Sequence, residues 1–313
     1  MTNPLHFAQI SDIHISSDGD HDDLLSGQAA EFLTRIVTDL NQIRDLDFVL
    51  ISGDLFDTAS QAEFDQFRAA IAPLKSPTYI IPGNHDRRDP EIDQGLTRHQ
   101  FAHHFNPQVA ERPTDPEAQA GYWSVEINPQ VQLIGLDSIV DGDWSGVVDA
   151  PQLAWLENQL VSHAQKFVIL SVHHPLHKLA PVDDDPKFYK FVCDNGSEVL
   201  ALLDQHPQVK LVLTGHHHQT KADRLGQRLH LAAPAVAIYP CAYRTLRLSQ
   251  QADKPWTLTW QTHPVTNEAT RTEARRRMAL SWAEAGFAPD FVEMHIELAL
   301  GTTADRQGSI TFT

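Results

Sequence analysis

Thr78-Tyr79-Ile80-Ile81-Pro82-Gly83-Asn84-His85-Asp86 is an apolar run that stops abruptly at a cluster of polar side chains. A strand ending this way delivers those side chains to the edge of a sheet. Four other stretches share the pattern. Phe7-Ala8-Gln9-Ile10 runs into Ser11-Asp12-Ile13-His14, and Phe48-Val49-Leu50-Ile51 into Ser52-Gly53-Asp54. Phe167 to Val172 runs into His173-His174-Pro175, and Lys210 to Thr214 into Gly215-His216-His217-His218. Short continuous apolar runs are what strands buried on both faces look like. Open α/β sheets bind ligands beyond the carboxyl ends of such strands, so five such runs imply one crowded site.

Each cluster alone is ordinary chemistry: Gly-Asp and Asn-His-Asp serve turns, and a histidine run can sit on a surface. Their joint occurrence, in order and each at a strand end, is what argues for convergence. Asp, Asn and His without a thiolate suit divalent ions such as manganese, iron or zinc. Carboxylates packed together without cations would repel one another and take up protons. Two divalent ions remove that penalty, and paired ions of this kind clamp the attacking and leaving oxygens of a displacement at phosphorus.

As a set, these stretches resemble the signature of the calcineurin-like metallophosphoesterases. Asp12 and His14 stand as D-x-H, Gly53-Asp54 as G-D, and Gly83-Asn84-His85-Asp86 as G-N-H-[DE]. His173 lies two places before Pro175, and Gly215-His216-His217-His218 reads as G-H-x-H. The spacing is similar to that of the bacterial class III cyclic-nucleotide phosphodiesterase branch. One departure is Leu176, where near relatives often carry a second Pro, and it bears on loop shape alone.

The resemblance implies an α/β fold: a four-layer α-β-β-α sandwich, two stacked mixed sheets flanked by helices, with a dinuclear metal site at strand C-terminal ends. It implies Asp12, His14, Asp54 and His218 around one ion, with Asp54 bridging to a second ion held by Asn84, His173 and His216. A metal-bridging hydroxide is the expected nucleophile. His85 is expected to protonate or hydrogen-bond the departing oxygen, with Asp86 orienting it. Asn84, His85 and Arg87 are the expected substrate contacts. Arg87 and Arg88 each offer a guanidinium fork for phosphate or carboxylate, and for Arg87 a pair with a neighbouring acid is the preferred reading. If Asp12, His14, His216 and His218 continue the strands, residues two apart share a face, and His217 points away.

The implied activity is metal-dependent hydrolysis of small phosphodiesters, with 3',5'-cyclic nucleotides as candidate substrates. Phosphomonoesterase and nucleotide pyrophosphatase activities use similar ligand sets and stay open. A DNA nuclease is disfavoured, because 41 acidic against 24 basic residues give a net charge of -17 that repels polyanions on average.

With 42% hydrophobic and 21% charged residues, the composition is that of a soluble globule with a large core. No apolar run approaches a membrane span and no leader pattern is visible, so a cytoplasmic location is expected. Cys193 and Cys241 read as free thiols. Residues 1–263 are expected to form one domain. The extension 264–313 has a helical Arg271–Ala285 carrying Arg275 to Arg277, then an apolar, alternating Phe291–Leu300. It reads as a dimer arm, cap or partner contact, and a homodimer is compatible with it.

Helices are expected within Leu24–Leu46, Gln61–Ala72, Leu96–Phe105 and around Leu153 to Leu160, with a surface loop at 106–120. A hairpin of Tyr122–Ile127 and Val131–Asp137 opens the second sheet, which Arg228–Ala232, Tyr243–Leu248 and Trp256–Gln261 are expected to complete. Asp18 to Asp23 reads as a solvated loop capping the next helix, with extra metal ligands as its alternative. Asp57 reads as a water-exposed acid, with support of the metal ligands as its alternative. The long loop Pro175–Asn195 is expected to influence substrate choice.

Overall fold

The computed structural model describes residues 4–87, 95–105, 121–185, 190–251 and 254–312. Arg88, the 106–120 segment and Pro186 lie outside the described residues. In chain order the strands are β1 (Leu5–Ile10), β2 (Phe48–Ile51), β3 (Thr78–Ile80), β4 (Trp123–Asn128), β5 (Val131–Gly135) and β6 (Phe167–Ser171). They continue as β7 (Val209–Thr214), β8 (Lys221–Leu225), β9 (Arg228–Ala232), β10 (Ala242–Ser249), β11 (Trp256–Pro264) and β12 (Gln307–Phe312). The helices are α1 (Ala29–Leu40), α2 (Gln61–Ile71), α3 (Arg98–His104), α4 (Ala150–Ser162), α5 (Gly196–Asp204), α6 (Glu268–Glu284), α7 (Pro289–Leu300) and α8 (Thr303–Arg306).

Two mixed six-stranded sheets stack face to face, in the orders β12-β11-β10-β1-β2-β3 and β4-β5-β6-β7-β9-β8. Strands β1, β2 and β3 run parallel, as do β5, β6, β7 and β9. Alternation along each strand divides the apolar residues between two layers. Phe7, Phe48, Leu50, Leu133, Phe167, Ile169, Leu211 and Leu213 fill the space between the sheets. Their neighbours Ala8, Ile10, Val49 and Ile51 face outward against Phe32, Leu33 and Ile36 of α1. On the other side Ile134, Val168, Leu170 and Val212 pack on α4 and α5 through Leu156, Leu160, Val199 and Leu203. Both faces of each sheet are covered, which explains why these strands read as unbroken apolar runs. No helix among the described residues is long and apolar enough to cross a membrane.

Two expectations are corrected. The strands at Tyr243–Leu248 and Trp256–Gln261 join the first sheet: β10 pairs antiparallel with β1, placing Leu246 opposite Phe7, and β11 pairs with β10. Period-two burial is the same against either sheet, so periodicity alone could not choose the partner. Phe291–Leu300 lies in helix α7, started by Pro289 and burying Val292, Ile296 and Ala299 on one face. Residues beyond 263 are built into the layers. Ala274, Met278, Val292 and Ile296 share the core of α1, and β12 pairs with β11 along the sheet edge.

Candidate metal centre

The five polar clusters stand just beyond the C-terminal ends of β1, β2 and β3 in one sheet and β6 and β7 in the other. Backbone hydrogen bonds join neighbouring loops, with Asp12 N–H donating to Gly53 O and His14 N–H to Asp54 O at 3.1 and 3.0 Å. Asp12, His14, Asp54 and His218 each bring a donor atom within 4.8 Å of the others, and Asp54, His173 and His216 do the same. Asp54 belongs to both of these groups, and a third, His14, Asp57 and His85, lies beside them without Asp54. Its Oδ2 lies 3.2 Å from His173 Nε2 and 3.6 Å from His14 Nε2, while its Oδ1 accepts the His85 N–H at 2.9 Å.

The side chains converge through strained backbone and not by strand pleating. Asp12, His14, Asp54, His216 and His218 all adopt positive φ, between 48° and 64°. Non-glycine residues in this left-handed region cost stability and collect at functional sites. Tight turns after each strand set Asp12 beside His14 and His216 beside His218. Glycines make the approach possible: a Cβ on Gly83 would lie 2.1 Å from Asp54 Oδ1, and one on Gly53 2.4 Å from His173 Nδ1.

Hydrogen bonding sorts the histidines. His173 Nδ1 donates to Ser52 O at 2.7 Å, which leaves Nε2 toward Asp54. His174 spends both nitrogens, Nδ1 on Ser138 Oγ at 2.8 Å and Nε2 on Trp144 O at 3.1 Å. His216 Nε2 donates to Lys190 O at 3.1 Å, so Nδ1 is its free nitrogen. His217 points away, buried against Asp183 Oδ1 at 2.5 Å. Asn84 sits between Gly83 and His85 with a buried, unpartnered Oδ1.

Burial resists ionisation here, yet His173 and His85 hold the Asp54 carboxyl well below its usual range. Burial also lowers His173, but Asp54 overrides it and raises the ring to about 9. His14 is pushed down to about 3, chiefly by burial. The donors fit divalent cations on their own terms. The Nε2 atoms of His14 and His218 face each other at 3.3 Å between two carboxylates. Asp12 Oδ2 and Asn84 Oδ1 are buried without a hydrogen-bond partner, a condition that native proteins avoid unless a water, ion or other ligand meets the atom.

Two residues have partners other than those expected. Asp86 does not orient His85: its carboxylate accepts the N–H groups of Leu55, Phe56 and Gly83 at 2.8, 3.2 and 2.8 Å. Burial and the charge on Asp54 push Asp86 up to about 8 against those three donors. The Arg87 guanidinium is engaged by acids. Buried, it pairs with Asp137 at 2.7 Å and Asp141 at 2.5 Å, the geometry of the neighbouring-acid reading.

What positions His85 was missed. Its Nδ1 donates to the carbonyl of Asp57 at 2.8 Å, and the Asp57 carboxylate takes His21 Nε2 at 2.9 Å. With a side chain only 12% exposed, Asp57 is no water-facing loop acid. Its spacing of three from Asp54 was the available signal. In the loop after β1 that carries His21, Asp20 accepts from Gly27 N and Gln28 Nε2 and so braces the approach to α1.

A family model for calcineurin-like phosphoesterases matches residues 5–220. A glycerophosphodiester phosphodiesterase GpdQ from Enterobacter lignolyticus is 28% identical over 235 residues, covering 73% of this chain and 76% of the relative. A 3',5'-cyclic-nucleotide phosphodiesterase from Nostoc is 28% identical over 221 residues, covering 69% and 72%. The 3',5'-cyclic adenosine monophosphate phosphodiesterase CpdA of Escherichia coli is 28% identical over 233 residues, covering 74% and 75%. Among solved structures, a dimetal phosphatase from Danio rerio superposes with a TM-score of 0.66 at 16% identity, over 85% of this chain and 98% of that one. The match over most of the chain and the His and Asp ligand clusters lead to one conclusion: the chain belongs to the calcineurin-like phosphoesterase family, hydrolases that act on phosphoesters with divalent metals.

Proposed function

We propose that this chain hydrolyses small phosphodiesters, with 3',5'-cyclic nucleotides as the leading substrates, at a centre holding two divalent ions. The observation that supports this most is the pair of donor groups sharing Asp54. Asp12, His14, Asp54 and His218 would hold one ion, and Asp54, Asn84, His173 and His216 the other. Oxygen and imidazole donors suit manganese, iron or zinc. When bound, such ions supply positive charge that activates water and offsets charge on phosphoryl oxygens.

The remaining work falls to the chain's own residues. A carbonyl can only accept, so His85 Nδ1 carries its proton toward Asp57 O. Nε2 is then the one ring atom open to a departing oxygen, and it hands over a proton only from the doubly protonated ring, which returns to its neutral Nδ1–H form. The His85 ring stands edge-on to His14 at 4.7 Å, which keeps it beside the proposed ligands. Asp86 holds the loops after β2 and β3 together, and Asn84 is offered to substrate from the turn so fixed.

Relatives named for glycerophosphodiesters and for cyclic nucleotides are equally similar at 28% identity, so glycerophosphodiesters are the second reading. The net charge of -17 disfavours long polyanions. Protein stripped with a chelator and reloaded with manganese would be assayed on cyclic AMP, bis-p-nitrophenyl phosphate and p-nitrophenyl phosphate. Diester turnover that depends on added metal and exceeds monoester turnover is expected. A clear preference for the monoester would sink the diesterase reading.

A further inference from the structure

The rim of the centre on the side of the second sheet carries an aromatic pair that the proton and metal chemistry does not use. Trp144, in the loop between β5 and α4, is 39% exposed. Its ring stands 5.4 Å from Phe191 at 77°. Phe191 in turn stacks on His217 at 4.8 Å and lies 6.0 Å from His216. Two backbone ties fix this wall to the centre: Trp144 O accepts from His174 Nε2, and Lys190 O from His216 Nε2, both at 3.1 Å. The Lys190 ammonium sits 5.5 Å over the indole and pairs with Asp143 at 2.6 Å. An indole 39% exposed at the rim of the candidate centre, with Lys190 over its ring and Phe191 at its side to hold it, is a preformed surface for a flat apolar group.

We propose that Trp144, backed by Phe191, is the platform on which the planar aromatic group of a phosphodiester substrate stacks, the base in the case of a nucleotide. The assignment rests on the phosphodiesterase reading and deepens it. Every base has a π face, so stacking discriminates weakly among bases. The platform therefore separates aromatic from aliphatic diesters and leaves base identity open. It acts through binding, because the indole is one ring removed from His216 and offers no proton to the reacting atoms.

Two measurements on the metal-loaded full chain test this. The first is the ratio of kcat/KM for cyclic AMP to that for glycerophosphoethanolamine. Trp144→Ala is expected to lower this ratio about tenfold, through KM for cyclic AMP, and Trp144→Phe to restore most of it. The second is tryptophan emission during titration with adenosine 5'-monophosphate or glycerol 3-phosphate. The nucleotide is expected to quench at concentrations where the glycerol ester does not, and Trp144→Phe to abolish the difference. An unchanged ratio in Trp144→Ala overturns the proposal, as does a quench that survives Trp144→Phe. If the native protein hydrolyses neither diester, the phosphodiesterase reading fails, and the quench alone then decides the platform.

Discussion

His85 Nδ1 is committed to the Asp57 carbonyl, and the His85 side chain is not needed to complete either donor group around Asp54. His85→Ala should therefore retain bound metal while turnover falls about 10²- to 10⁴-fold, the usual loss for a proton donor. Asp54→Ala should lose both, because Asp54 belongs to both donor groups. Elemental analysis beside rate measurement distinguishes the two, and full activity in His85→Ala would remove that ring from the mechanism. Arg87 gives the opposite kind of test. Its removal leaves the buried carboxylate of Asp137 with the Ile139 N–H and, among the described residues, a single cation, Arg98, each at 3.0 Å. Arg87→Ala should lower stability by about 3 kcal/mol in a urea titration, with little change in KM. A raised KM at native stability would restore Arg87 to the substrate.

At the scale of elements, the turns after β2 and β3 do the positioning, and their glycines are the weak points. Gly83→Ala places a methyl 2.1 Å from Asp54 Oδ1, so the carboxylate must move. Metal affinity should fall although no ligand has been changed, and calorimetric titration with manganese would measure it. An unaltered isotherm would show that the turn yields more easily than this geometry implies. The segment after β11 carries a second element-level prediction. Truncation at residue 263 removes β12 and the helices that bury Met278, Val292 and Ile296 against α1. The shortened chain should melt far lower or aggregate, because that apolar surface is then left in water. Unchanged melting would mark 264–313 as an accessory arm. The segment's helix was hard to see in advance: Phe291–Leu300 has apolar residues at both strand and helix spacing, and its packing on α6 decides between them.

For the whole molecule, buried neutral histidines set a pH limit. Burial pushes both His230 and His295 down to about 3 from 6.5. Between those values the unfolded chain takes up protons that the folded chain refuses, so stability falls as pH drops below about 6.5 and is unaffected by these two groups above it. Melting temperature followed from about pH 7 to pH 5 should decline, and a flat profile would contradict the neutral burial of these rings.

The sequence by itself determined the strand ends and the chemistry they carry: unbroken apolar runs require burial on both faces, and the polar cluster after each run has nowhere to go but the sheet edge. It also determined the residue types able to bind cations, since donor identity is covalent. Tertiary structure alone decided how those donors are used. Whether His173 or His174 keeps a free nitrogen depends on Ser52, Ser138 and Trp144, which are distant in the chain. Likewise Arg87 is spent on Asp137 and Asp141, about fifty residues away, and β10 pairs with β1 across most of the sequence. Local patterning records which faces are apolar and which residues are polar, but hydrogen bonds are satisfied between whichever groups the finished fold brings together, and no local pattern encodes that choice.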